Sequence, residues 1–283
     1  MKRISEKTWF LAESGLWDVR RDSFFFVNIF DGELYEYRPK TGKLQGHTLG
    51  RIVSAAMLGK RGELILATQT GIGIYNTETG CFEQKVHPNE KWESTSRYND
   101  CKCDPAGRMY VGTIDLQGRP GCGKLYCVEP DWSWRVVFDT VDYSNGLVWM
   151  GEQMYYTDTY SGEVYRFTYD LRTGSMKDKQ VLCAFPPGQP DGMAADKEGH
   201  LWIALWGGYG VACVDSKTGK LLRKIEMPVP NVSSICFGGK DGGKVLITTA
   251  RKDLSEEELS RYPQAGSVYY GNIGVNGPEF YKF

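Results

Sequence analysis

Short apolar segments recur along the chain, each entered through a turn. Arg21-Asp-Ser-Phe-Phe-Phe-Val27, Arg61-Gly-Glu-Leu-Ile-Leu-Ala67 and Ala106-Gly-Arg-Met-Tyr-Val111 are three copies. Gly151-Glu-Gln-Met-Tyr-Tyr156, Glu198-Gly-His-Leu-Trp-Ile203 and Asp241-Gly-Gly-Lys-Val-Leu-Ile247 are three more. Most carry a glycine that can supply the positive φ of a tight hairpin. The aromatic and β-branched residues that follow favour strand. In step with these runs a second strand pattern, Gly-x-hydrophobic-Tyr, ends in another turn. Its clearest copies are Gly32-Glu-Leu-Tyr-Glu-Tyr37, Gly123-Lys-Leu-Tyr-Cys-Val128 and Gly162-Glu-Val-Tyr-Arg-Phe167.

A third element starts each unit with an oxygen-bearing side chain: Glu13, Ser54, Asn99, Asn145, Asp191 and Ser233, spaced 41, 45, 46, 46 and 42 residues apart. Units of about this length, each with three or four short antiparallel strands, are the signature of a propeller blade. The pattern therefore predicts an all-β fold, a six-bladed β-propeller of four-stranded antiparallel blades, spanning residues 1–283 as a single domain. The strand-like segment Thr8-Trp-Phe-Leu-Ala12 is expected to pair with strands near the other end of the sequence and close the ring, removing exposed sheet edges. One helical turn is predicted after Ser255, where Ser255 and Glu258 form a capping box and Pro263 ends the turn.

The bulk properties remove several function classes. At 283 residues with a formal net charge of −1, there is no electrostatic reason to expect nucleic acid or an anionic membrane as partner. The apolar runs fall short of a membrane span. The opening segment has no apolar stretch of the signal-peptide kind, so a cytoplasmic location is expected. The eight cysteines form no CxxC or Cys/His zinc pattern and are expected to be reduced thiols. Three histidines, none in HExxH or beside a nucleophile, leave no basis for a histidine-rich metal site or a Ser-His-Asp triad. Any metal would be held by oxygen.

Equivalent positions in repeats are equivalent in space, so the six polar starts should face one axis near one mouth of the channel. Two carboxylates and two amides among them suit a hard divalent cation. Periodicity alone leaves open that these groups merely solvate a channel. Arg97 lies two residues before Asn99, on the same strand face, and offers a planar fork to carboxylate or hydroxyl oxygens.

These residues resemble the senescence-marker-protein (regucalcin), gluconolactonase and luciferin-regenerating-enzyme family. The resemblance covers almost the full length. It is carried by Ala12-Glu-Ser-Gly-Leu-Trp17, by Arg97-Tyr-Asn-Asp-Cys-Lys-Cys-Asp-Pro-Ala-Gly-Arg108, and by Ser144-Asn-Gly-Leu147, Tyr156-Thr-Asp-Thr159, Pro190-Asp-Gly-Met193 and Pro263-Gln-Ala-Gly266. It implies a six-bladed propeller holding one divalent metal (Ca, Mg, Mn, Zn or Fe) through Glu13, Asn145 and Asp191. It also implies a substrate held by Arg97 and Asn99. Many members hydrolyse sugar-acid lactones, which implies a gluconolactonase-like hydrolase acting on a small-molecule sugar lactone. Asp191 is then the first choice of general base and Asp100 the second, although Asp100 should face away from Asn99 unless a bulge intervenes. The segment Arg119-Pro-Gly-Cys-Gly-Lys-Leu-Tyr126 lacks a Glu that some members use toward the sugar. The alternative implied by other members is a non-enzymatic calcium-binding regulatory propeller. A protein-binding propeller with an incidental polar ring is a third reading. The identity of the lactone and the oligomeric state stay open.

Overall fold

A computed structural model describes residues 1–186 and 188–283. Six four-stranded antiparallel sheets follow one another along the chain. Blade 1 runs from Ala12–Asp18 through Ser23–Asn28 and Glu33–Arg38 to Lys43–Thr48. Blades 2 to 5 begin with Val53–Leu58, Ser96–Cys103, Ser144–Met150 and Gln189–Ala195, and blade 6 with Val232–Gly238. The first strand of each blade is almost wholly buried, whereas outer strands such as Leu221–Glu226 are mostly exposed. Burial therefore falls outward from the axis, and the apolar core lies between blade faces. Leu16, Phe25 and Val27 of blade 1 pack on Val53, Leu58 and Leu66 of blade 2. Trp17, Phe24 and Tyr37 of blade 1 pack on Cys236 and Leu246 of blade 6.

Ring closure uses two early segments. The outermost strand of blade 6 is Lys2–Arg3, paired with Tyr269 and Tyr270. The predicted strand over residues 8–12 also bonds to blade 6: Leu11 bridges Ala250, the Phe10 carbonyl accepts from Arg251 N at 2.9 Å and Lys252 N at 3.0 Å, and Trp9 N donates to the Gly266 carbonyl at 2.9 Å. Ala12 instead opens the first strand of blade 1. The Trp9 ring, buried edge-on against Phe26 and Tyr35, packs the segment in place. The capping box at Ser255 forms and opens the helix Glu256–Arg261. No helix among the described residues is long and apolar enough to cross a membrane. All eight cysteines are unpaired.

Each innermost strand carries a register shift at the same place. The shifts fall between Glu13 and Leu16, Val53 and Ala55, Tyr98 and Cys101, Asn145 and Leu147, Pro190 and Met193, and Val232 and Ser234. These are β-bulges, which bend a strand and re-aim its side chains. All six polar starts lie at them.

The turn leaving the innermost strand has its own device. In blade 3, Asp104 Oδ1 accepts from the backbone N–H groups of Ala106 (2.9 Å) and Arg108 (2.8 Å). Its Oδ2 accepts from Arg108 Nε at 2.8 Å and from the Tyr169 hydroxyl of blade 4. Asp196 repeats the arrangement in blade 5 with the amides of Glu198 and His200. Residues 272–283, not foreseen as an element, cross the opposite mouth of the ring. Lys197 N bonds to the Asn276 carbonyl, Phe283 N to the Leu58 carbonyl, and the Phe283 ring packs on Trp132 at 4.7 Å.

Removing one partner of a buried charge pair leaves the other unsatisfied. Asp104→Ala should therefore cost about 3–5 kcal/mol in urea unfolding. Asp131→Ala, at an exposed turn where the carboxylate meets only Ser133, should stay within about 0.5 kcal/mol. Equal effects would contradict the assigned role of Asp104.

Candidate metal centre and substrate pocket

The ring of six polar starts divides in two. Glu13, Asn99, Asn145 and Asp191 line one cavity at the mouth of the channel, together with Arg97. The space free of protein atoms there, open solvent included, is about 450 Å³. Ser54 and Ser233 do not line it. The Ser233 hydroxyl donates to the Ala12 carbonyl at 2.6 Å, and the Ser54 hydroxyl is buried without a partner.

The local sequence explains how the strands bearing Glu13, Asn145 and Asp191 approach so closely. Gly15, Gly146 and Gly192 follow Glu13, Asn145 and Asp191. A Cβ on Gly146 would lie 2.6 Å from the Asp191 carbonyl oxygen; one on Gly192 would lie 2.7 Å from Ser234 Cβ. A Cβ on Gly15 would lie 2.8 Å from Cys236 Sγ. Neighbouring bulges are in backbone contact, and only glycine fits between them. Beside Glu13, Ser14 takes the left-handed conformation (φ 55°), uncommon for a residue with a side chain.

Hydrogen bonds run across three blades. Arg97 Nη1 donates to Asn99 Oδ1 at 2.7 Å and to the Tyr98 carbonyl at 2.8 Å. Asn99 Nδ2 donates to the Ser144 carbonyl at 2.8 Å and to Asn145 Oδ1 at 2.9 Å. Asn145 Nδ2 donates to Thr159 Oγ1 at 2.7 Å, and that hydroxyl donates to the Pro190 carbonyl at 2.9 Å. Asn99 thus commits both amide hydrogens to the protein itself.

The charges are poorly compensated. Burial, then Asp191 and Asp100, hold the Glu13 carboxyl well above the usual carboxylate range. Burial and Asp100 do the same to Asp191, against opposing pulls from Arg97 and Lys252. Arg97 is fully buried, and burial lowers its pKa. None of the described carboxylates lies within ion-pairing distance of it. Its Nε has no partner, Nη2 reaches the Tyr143 hydroxyl only at 3.5 Å, and the Phe30 ring covers the guanidinium at 5.3 Å.

Glu13, Asn145 and Asp191 therefore fit a hard divalent cation. They bring two carboxylates and a second lone pair on Asn145 Oδ1 to one cavity, where the carboxylates otherwise repel each other. Asp196, His200 and Cys213 also bring ligand-type atoms within 4.8 Å of one another. There the Asp196 carboxylate is already occupied. Oδ1 takes two backbone amides, and Oδ2 takes His200 Nδ1 at 3.0 Å and Trp202 Nε1 at 2.9 Å. That group is a lock on the blade 5 turn, with His200 half-buried within it.

The bulge between Tyr98 and Cys101 separates Asn99 from Asp100. Asn99 lines the upper cavity; Asp100 lines a chamber beneath it with Lys102, Ser14 and Ser234. Sequence reasoning missed Leu11, Tyr143, Gln189, Thr159, Tyr160, Trp206, Lys252 and Asp253 in the cavity wall. For three of these a signal was present. Leu11, Tyr143 and Gln189 stand two residues before Glu13, Asn145 and Asp191, as Arg97 stands before Asn99. The segment after Asp115 contributes nothing to the described wall. Arg119 is instead bonded to the buried Asp115 at 2.6 Å.

The chain was compared with known proteins. A family model described as the SMP-30/Gluconolactonase/LRE-like region matches residues 11–251. Regucalcin of Oryctolagus cuniculus is 34% identical over 96% of this chain and 94% of its own. YvrE of Bacillus subtilis (strain 168), a sugar lactone lactonase by assignment, is 32% identical over 94% of this chain and 92% of its own. The crystal structure of regucalcin from Agrobacterium tumefaciens, described as a calcium-binding protein, superposes with a TM-score of 0.93 at 25% identity, covering 99% of this chain and 97% of that one. With the six-bladed architecture and the matched span of 241 residues, these likenesses show that the chain belongs to the SMP-30/gluconolactonase/LRE-like family.

Proposed function

We propose that this protein is a divalent-cation-dependent lactonase that opens sugar-acid lactones. The observation that carries the reading is one pocket in which two buried carboxylates and an amide oxygen converge beside a buried guanidinium with no carboxylate partner. Glu13, Asn145 and Asp191 would hold the cation. Bound there, it would supply Lewis acidity toward the lactone carbonyl and stabilise the charge that develops on its oxygen.

The chain's own groups account for the rest. Arg97 lines the cavity with a guanidinium that no carboxylate claims, Tyr143 and Gln189 line the same wall, and these groups would meet substrate oxygens. Water attacks the carbonyl carbon and gives a proton to the Asp191 carboxylate. The carbon–oxygen bond of the ring breaks, and that proton passes to the departing ring oxygen, leaving a hydroxy acid. Asp191 is favoured over Asp100 because it lines the cavity, whereas Asp100 lines the chamber below. The sequence of YvrE supports the lactonase reading, and the regucalcin names support calcium as one cation the site accepts.

Purified protein should hydrolyse one or more five- or six-carbon sugar lactones, lose that activity on chelation and regain it with a divalent cation. Tight calcium binding without turnover of any lactone by any added cation would favour the non-enzymatic reading instead. Asp191→Asn should lower kcat by about 10²–10⁴-fold, the range of a lost general base; a change below tenfold would remove Asp191 from that role.

The raised carboxyls of Glu13 and Asp191 give a stability prediction with a definite sign. Their folded-state pKa values exceed the unfolded ones, so the folded chain holds more protons between the two. Stability from these groups is complete below the unfolded carboxylate range and is lost as pH rises through the folded values. Chelated protein should therefore melt at a lower temperature near pH 8 than near pH 5. Added calcium should raise the melting temperature more at the higher pH, where it no longer competes with protons. Equal calcium shifts at both pH values would contradict the ligand set.

A further inference from the structure

The hydrogen bonds from Arg97 to Pro190 have only one possible direction. A guanidinium can only donate and sits at one end; Pro190, which has no N–H, can only accept and sits at the other. Arg97 Nη1 at 2.7 Å obliges the facing atom of Asn99 to be Oδ1. Its amide nitrogen must then face the Ser144 carbonyl and Asn145. The Asn145 atom that receives it must be Oδ1, so Asn145 Nδ2 must face Thr159. The Thr159 hydroxyl accepts that bond and sends its own hydrogen to the Pro190 carbonyl. Asn99, Asn145 and Thr159 are all buried. A flipped Asn145 would set two amide nitrogens against each other and would turn a donor toward the cation.

We infer that Thr159 is a positioning residue for the metal centre. Together with Asn99 it fixes the sense of the Asn145 amide, so that the oxygen faces the cation, and it holds the backbone immediately before Asp191. One hydroxyl thus sets the ligand of blade 4 and the approach of the ligand in blade 5. Its own place is fixed by the bond from Thr159 N to the Tyr143 carbonyl at 3.0 Å and by the short 3₁₀ turn Thr159–Ser161. The inference rests on the cation-binding reading of Glu13, Asn145 and Asp191.

The test is direct calorimetric titration of the full chain with Ca²⁺ and separately with Mn²⁺, without substrate. Thr159→Val keeps the shape and removes the hydroxyl; it should weaken cation binding about 10–100-fold, the usual cost of losing a group that orients a ligand. Thr159→Ser restores the hydroxyl and should stay within about threefold of the unaltered chain. Should the valine variant not fold, Thr159→Cys, whose thiol is only a weak donor and acceptor, should give the same weakening. Unchanged affinity in a folded Val or Cys variant overturns the role of Thr159 and leaves the metal reading standing. Equal weakening in Ser and Val also overturns it, because the hydroxyl would then be irrelevant. If the unaltered chain binds neither cation, the metal reading falls and the inference falls with it.

Discussion

The bulge in each innermost strand is the constraint from which the site follows. A regular strand alternates its side chains between the two faces of its blade, and both faces here are buried against neighbouring blades. A carboxylate on such a face would lie in apolar packing. The extra residue at the bulge breaks the alternation and leaves its side chain free to point along the axis. Because the bulge recurs at the same height in six strands, four of the six side chains at the bulges converge on one cavity without any long loop to carry them. The packing between bulges then demands glycine behind Asn145 and Asp191, since a Cβ on Gly146 or Gly192 would meet the next blade's bulge. The Asn-Gly and Asp-Gly pairs are thus a consequence of ring geometry as much as of chemistry.

That convergence has an electrostatic cost. Glu13, Asp191 and Asp100 are all buried, and burial raises all three. Asp100 has Lys102 as a counter-charge, while Glu13 and Asp191 share the cavity with a guanidinium that bonds to neither. Desolvated charges of this kind cost several kcal/mol each unless paired. The interblade packing of aromatic and branched side chains offsets that cost, so the rigid outer parts of the blades permit the strained centre. Such concentration of perturbed carboxylates in one cleft is what a functional centre looks like physically.

The sequence makes the repeat, the strand-and-turn rhythm and the polar starts legible because each leaves a periodic trace. Glu13, Asn145 and Asp191 are visible for that reason, and Tyr143 and Gln189 become visible once the offset that picked out Arg97 is applied to every repeat. Other features leave no such trace. Lys2–Arg3 closes blade 6 through backbone bonds, which any two residues could make, whereas Thr8–Ala12, which looks more like a strand, makes backbone bonds to that blade only at residues 250–252 and 266. Trp206, Thr159 and Lys252 reach the cavity from or just beyond the ends of second strands, where the units share no residue type. The path of residues 272–283 across the far mouth depends on bonds to scattered backbone groups of blades 2, 5 and 6.

The two cavity carboxylates, Glu13 and Asp191, are anchored in the same way, although their blades are not adjacent in sequence. The carbonyl of Pro190, immediately before Asp191, accepts from Thr159 of blade 4 at 2.9 Å. The carbonyl of Ala12, immediately before Glu13, accepts from Ser233 of blade 6 at 2.6 Å. In each case the hydroxyl comes from the preceding blade around the ring. Two like charges repelling across a cavity would tend to push their strands apart. A bond on the backbone next to each charge resists that displacement where the force is applied. Ser233 looks like an idle member of the polar ring when it is judged by whether it reaches the cavity. Judged by what it holds, it performs for Glu13 the service that Thr159 performs for Asp191. The ring's symmetry is therefore used twice: at four positions to face the cavity, and at a fifth to hold the backbone beside Glu13.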